Sequence, residues 1–216
     1  MWVYIGTSGL KNAYIGEYWW HPWANTLAYF PLETDQLDTT GNYTLSLTGT
    51  QQTVGYQFSW SELALNWTYT RVQFLNVRVK IDSVGSWITN LATMIDSWGM
   101  RYNWEHIRTP ANAKKFQIEN GSNVASFSSA QNTTTWTWYN IAFGVNSNYN
   151  YNAYINGSLV WSWTLSSIRQ PSWSNIVFLF NQTATATFSK VIVEDVVWTD
   201  QEVLDYYNKT KADYWL

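Results

Sequence analysis

Apolar and polar side chains alternate along most of this chain, the period-two signature of strands with one buried face. The pattern is clearest between Trp136 and Trp163. Tyr139, Ile141, Phe143 and Val145 alternate with Asn140, Ala142 and Gly144. Tyr149, Tyr151, Ala153 and Ile155 alternate with Asn150, Asn152 and Tyr154. Asn156-Gly157 follows, a pair that accepts the positive φ of a type I′ hairpin turn. A third strand then carries Leu159, Trp161 and Trp163 on one face. Three adjacent antiparallel strands make a meander, and its apolar face needs a cover.

The rest of the chain supplies one. Residues 27–32 read as a first strand, with Pro31 suited to an edge or a strand end. Residues 33–42 are a turn-rich loop, and 43–48 and 54–58 alternate again. Residues 72–81 place Leu75, Val77, Val79 and Ile81 inward and Asn76, Arg78 and Lys80 outward. Shorter strands are expected over 87–95, 115–119 and 124–127, the last two joined by Asn120-Gly121 as a second type I′ hairpin. Residues 175–181 and 188–197 close the sheets. Short strands with turns about every 8–12 residues predict a two-sheet antiparallel sandwich. Only the end reads as helical. Thr199-Asp200-Gln201-Glu202 is a capping box, with Val203 and Tyr207 on one face behind it.

Residues 1–25 follow a different pattern. Tyr4-Ile5-Gly6 recurs as Tyr14-Ile15-Gly16, with Ser8-Gly9 between them as a turn, and Tyr18-Trp19-Trp20-His21-Pro22-Trp23 follows. A hairpin this short is not stable alone, and its exposed aromatics would be a liability. The segment is therefore expected to be a β-arm, docked on another protein chain in preference to its own sandwich. Tyr4, Tyr14, Trp19, Trp20 and Trp23 would make the contacts, to a second copy or to a different protein. The chain divides into this arm, 1–25, and the sandwich, 26–216.

Composition sharpens the picture. Of the 216 residues, 46% are hydrophobic and 12% charged, against about 25% charged in typical soluble domains. The polar surface must therefore be built from Asn, Ser, Thr, Gln and Tyr. Sixteen Trp exceed what one core hides, which points either to a surface that touches a ligand or partner or to a Trp-rich core with oligomer contacts. A net charge of −3 argues against nucleic acid, which needs a basic footprint. Zero cysteines exclude disulfides, zinc-thiolate sites and thiol catalysis. No apolar run reaches the ~20 residues of a membrane span, so membrane insertion is not expected. The first residues lack the basic start and apolar run of a signal peptide. The expectation is a protein made in the cytoplasm that stays there or leaves inside a particle released by lysis.

These strings resemble a known family. Leu27-Ala28-Tyr29-Phe30-Pro31-Leu32 with the acidic loop and Gly41-Asn42 after it, Trp138 to Phe143 through Tyr154 to Gly157, and Phe188 to Asn208 are similar to laminin-G-like, concanavalin A-like jelly-roll lectin domains of the kind common in bacteriophage and bacterial surface proteins. The resemblance covers about residues 26–211. It implies an all-β, two-sheet antiparallel jelly-roll sandwich with one short C-terminal helix. Residues 1–25 resemble the leader of some phage virion proteins, where such an arm attaches a module to the particle. What this implies is a non-enzymatic virion component, a capsid decoration, head fibre or tail part, exposed on the virion exterior. Its partners would be other virion proteins and host-surface or mucosal glycans. A soluble lectin unattached to any particle is the alternative.

Candidate chemistry is sparse. Retaining glycoside hydrolases need two carboxylates about 5–5.5 Å apart, and the nearest motif, Glu33-Thr34-Asp35-Gln36-Leu37-Asp38, lies in a loop. His21 and His106 lack companion ligands at metal-site spacing. Asp35 and Asp38 with loop carbonyls offer the oxygen ligands calcium takes. Two loop acids alone do not define a site, so no metal and no catalytic residue is assigned. Sugar binding would use aromatic faces flanked by hydrogen-bonding side chains. Trp98, Tyr102 and Trp104 with Asn103 and Glu105 form one such cluster, and Tyr149, Tyr151 and Tyr154 with Asn148 and Asn150 another. Trp104 and Tyr151 are the carbohydrate-binding candidates.

Overall fold

In the computed structural model of the chain, the described residues form fourteen strands, all paired antiparallel, followed by one helix. The structure describes residues 26–30, 32, 50–59, 62–66, 74–83, 88–95, 101–108, 114–120, 123–126, 133–145, 150–164, 176–180 and 185–214. The strands are β1 (Thr26–Phe30), β2 (Thr50–Gln51), β3 (Tyr56–Ser59), β4 (Glu62–Asn66), β5 (Phe74–Ser83), β6 (Ile88–Ile95) and β7 (Arg101–Arg108). They continue as β8 (Lys114–Asn120), β9 (Asn123–Ser126), β10 (Trp138–Val145), β11 (Asn150–Ile155), β12 (Ser158–Thr164), β13 (Ile176–Phe180) and β14 (Thr185–Glu194). Helix α1 (Asp200–Thr210) ends in a single 3-10 turn, Lys211–Tyr214.

The fold is an all-β sandwich. One sheet has eight strands in the order β12-β11-β10-β5-β14-β3-β2, and the other six in the order β4-β13-β6-β7-β8-β9. The eighth strand of the first sheet, β1, shares an edge of β14 with β3: β3 pairs with Thr185 to Phe188, and β1 with Val191 to Glu194. Strand β1 is described as far as Phe30.

The meander forms as its pattern predicts. Ile141 pairs with Ile155 and Phe143 with Ala153 on one side of β10, and with Val77 and Leu75 on the other. Asn156 (φ 52°) and Gly157 (φ 78°) make the turn. The second hairpin also forms, but Asn120 is the last paired residue of β8, opposite Asn123, not a turn residue. The third strand departs from the sequence reading. A bulge pairs Tyr154 with Leu159 but Ala153 with Trp161. The extra residue, Val160, moves Leu159 to the opposite face from Trp161, and Leu159 is left 43% exposed.

The larger departure concerns β5. Its apolar face, Leu75, Val77, Val79 and Ile81, is buried as expected, but Asn76 and Arg78 are buried too. Their face is covered by α1. Phe74, Ala142, Tyr154 and Ile192 from the sheet pack with Trp198, Val203 and Tyr206. Phe74 stacks on Trp198 at 4.8 Å, and Tyr206 meets Trp198 edge-on at 5.3 Å. The capping box starts the helix as read: the Glu202 amide donates to Thr199 Oγ1 (3.2 Å) and the Thr199 amide to Glu202 Oε2 (2.7 Å). The buried face of the helix is Val203 with Tyr206, three residues apart; Tyr207, expected beside Val203, is only half-buried. Among the described residues no helix is long and apolar enough to cross a membrane.

Candidate functional site

Where α1 stops, the outer face of the eight-stranded sheet is left open as a groove with a cavity of about 510 Å³. Its floor comes from Arg78 and Lys80 of β5 and Trp138 of β10; Lys80 and Trp138 are directly opposite across the ladder. Tyr207 and Lys211 at the end of the helix form one wall, and Trp136 with Thr137 another. Gln52 to Val54, the bend between β2 and β3, close the remaining side.

Trp136 is the unusual residue. It is 68% exposed and sits at φ 67°, a left-handed conformation that a bulky side chain adopts only when its surroundings impose it. Here they do. The Trp136 amide donates to the Ile81 carbonyl at 2.8 Å. Thr134 and Thr137 hydroxyls pair at 2.6 Å across the turn, and the Thr134 amide donates to the Tyr139 hydroxyl at 2.8 Å. These bonds fix the backbone of the turn, and the Trp136 ring, 68% exposed, lines the groove.

Lys80 links the aromatic rings to the floor. Its Nζ lies 5.4 Å from the Trp136 ring centroid and 5.5 Å from that of Trp138, within cation–π range. The same Nζ is 3.1 Å from Asp82 Oδ1. Asp82 Oδ2 in turn accepts from Gln57 Nε2 (2.9 Å) and from the Thr187 hydroxyl, so the lysine head is fixed from below. Arg78 Nη1 donates to the Thr210 carbonyl at 3.1 Å and satisfies one of the carbonyls a helix C-terminus leaves over. Lys211 Nζ donates to Asn208 Oδ1 at 2.9 Å and lies 5.8 Å over the Tyr207 ring.

The residues expected from the sequence fall elsewhere. Tyr151 is 1% exposed, paired in the ladder with Val145 on one side and Trp163 on the other. A ring so buried cannot stack on a sugar, and its role is packing. Tyr154 of the same cluster is fully buried under the helix, donating to Asp200 Oδ1 at 2.7 Å. Burial, reinforced by that bond, raises its phenol above the ordinary tyrosine value. Trp104 lies mid-strand in β7, opposite Ala92 and Ile118, and its side chain is outside the described residues. Also outside them are Asp35, Asp38, Glu33, His21, Trp98, Tyr149 and the whole arm with Tyr4, Tyr14, Trp19, Trp20 and Trp23. Among the described residues no three His, Asp or Glu side chains come together as a metal site.

Sequence reasoning missed Trp136, Trp138, Lys80 and Lys211 as partners. The available signal was Trp136-Thr137-Trp138, two indoles in the spacing that strands use to place side chains on one face.

The fold is thus a two-sheet antiparallel β-sandwich with an open groove on the outer face of its eight-stranded sheet. No protein-family model matches the sequence, and no curated protein matches it. Solved structures do match in shape. Domain 4 of a GH43 extracellular arabinanase from Geobacillus stearothermophilus, in complex with arabinotriose, superposes with TM-score 0.62 at 13% identity, covering 84% of this chain and 97% of that one. Trypanosoma rangeli sialidase superposes with TM-score 0.69 at 9% identity, over 87% of this chain and 33% of that one. The receptor-binding domain of botulinum neurotoxin D gives 0.60 at 10% identity, over 86% and 53%. The chain thus spans about a third of the sialidase and about half of the toxin domain. At these identities the likeness is one of fold.

Proposed function

We propose that this protein is a non-enzymatic carbohydrate-binding module that seats a sugar ring on Trp136 in the groove at the end of α1. The observation that carries the reading is the exposed Trp136 ring, held at positive φ beside Trp138 and Lys80. A preset aromatic face loses little entropy on binding. The amide of Gln52 and the hydroxyls of Thr53 and Thr137 are the hydrogen-bonding groups that fix a sugar's orientation. The described lining offers cations, rings and neutral polar groups, not the carboxylate pair of glycoside hydrolysis. The arabinotriose-bound neighbour supports carbohydrate as the ligand class.

The finer reading is that the module is displayed on the exterior of a bacteriophage particle as a decoration, head-fibre or tail component, held there by residues 1–25. The aromatic arm and its resemblance to virion leaders support it. The site is tested by screening the full chain on a glycan array and titrating the best ligand by calorimetry. Trp136→Ala should weaken binding roughly tenfold or more, about 1.4 kcal/mol or above. Unchanged affinity in Trp136→Ala, or silence on the array, removes the site.

A further inference from the structure

The charges around the groove identify what kind of sugar it takes; this rests on the carbohydrate-binding reading above. Acidic residues outnumber basic ones in this chain, 15 to 12, yet Arg78, Lys80 and Lys211 all line this one groove, and the described lining holds no carboxylate. Among the described residues, Asp82 lies against Lys80, its side chain 2% exposed. It holds the lysine in place but reaches solvent hardly at all.

The cations are not equivalent. Arg78 is engaged with the Thr210 carbonyl and Lys80 with Asp82. Lys211 has neutral partners, the Asn208 amide oxygen and the Tyr207 ring, so its full charge is directed at the groove from the helix side. Trp136 stands over Lys80, where a ring stacked on the indole brings its substituents near the ammonium groups. We infer that the groove binds an anionic sugar, its ring on Trp136 and its carboxylate or sulfate held by Lys211, with Lys80 as the second cation. An ammonium group suits this task because it accepts either acid from many directions, whereas a guanidinium would favour a planar two-point fit.

Three probes test this on the full chain by calorimetry in low salt: a glucuronic-acid oligosaccharide, a 6-sulfated glucose oligosaccharide and the matching neutral glucose oligosaccharide. The expected result is that an anionic probe binds roughly tenfold tighter than the neutral one. Which anionic probe shows the preference identifies carboxylate or sulfate as the recognised group. The ratio should fall towards one near 1 M salt, where the screening length is only about 3 Å. It should also fall towards one in Lys211→Met and return in Lys211→Arg, circular dichroism showing both variants folded. Trp136-dependent binding of the neutral probe with no anionic preference overturns this inference while leaving the carbohydrate site standing. A preference that Lys211→Met does not reduce also overturns it. Binding of none of the three probes, with silence on a glycan array, overturns both readings.

Discussion

Glu194 ends β14 with no surface exposed, accepting a 2.8 Å hydrogen bond from the Thr26 hydroxyl of β1. Burial pushes its carboxyl up to about 8; the Thr26 bond opposes the rise, while Asp195 and Glu202 nearby add to it. A carboxyl that holds its proton more tightly folded than unfolded favours the native state at low pH. Its contribution is full below the ordinary value near 4.5 and is lost as pH rises through about 8. Thermal melts should therefore show Tm falling by several degrees between about pH 5 and pH 9. Glu194→Gln, which keeps the acceptor for Thr26, should flatten that slope; an equally steep slope in the variant would place the titration elsewhere. At this scale the sequence was an uneven guide. It showed that Tyr151 alternates with polar neighbours in step with Ala153 and Ile155. Whether that shared face meets water or a second sheet is not encoded in the alternation, and the structure buries it. The φ of Trp136 was likewise hidden, because nothing local favours it: the Ile81 carbonyl that holds its amide comes from a strand 55 positions earlier, 136 minus 81.

Elements written by local chemistry were legible. The capping box at Thr199 and the Asn156-Gly157 turn each depend on residues within a few positions of one another, and both form as read. Thr199→Ala removes an acceptor for the Glu202 amide and should cost about 1 kcal/mol, lowering Tm by about 2–4 °C for a chain of this size. Because α1 covers Phe74 and Trp198, the loss should appear as global destabilisation in denaturant melts, not as fraying of the helix alone. Strands β4 and β7 were not anticipated. Leu63 and Leu65 alternate in the one, and Tyr102, Trp104 and His106 in the other. In β7 the aromatic spacing suggested a ligand cluster as readily as a strand, and β4 is only five residues long. The bulge at Val160 was invisible for a different reason. A one-residue register shift depends on the partner strand, and it reverses the facing of everything on one side of it.

At the scale of the molecule, the sandwich should stand without its first 25 residues. Thr26 opens β1, paired to Glu194, and the described core is built from residues after it. Deleting residues 1–25 should leave a soluble, folded protein, judged by circular dichroism and gel filtration, and the proposed role of the arm further requires that the deletion abolish incorporation into particles. Assembly of the truncated chain would refute the arm's role. Alternation and turn residues by themselves determined that this chain makes antiparallel sheets in a sandwich ending in one capped helix, because each of those signals acts between near neighbours. Only the tertiary structure decided which faces are buried twice, that α1 lies over Asn76 and Arg78, and that Trp136, Lys80 and Lys211 meet around one groove. Those outcomes depend on contacts between residues tens of positions apart, and period-two patterning assigns a side chain to a face without specifying what that face will meet.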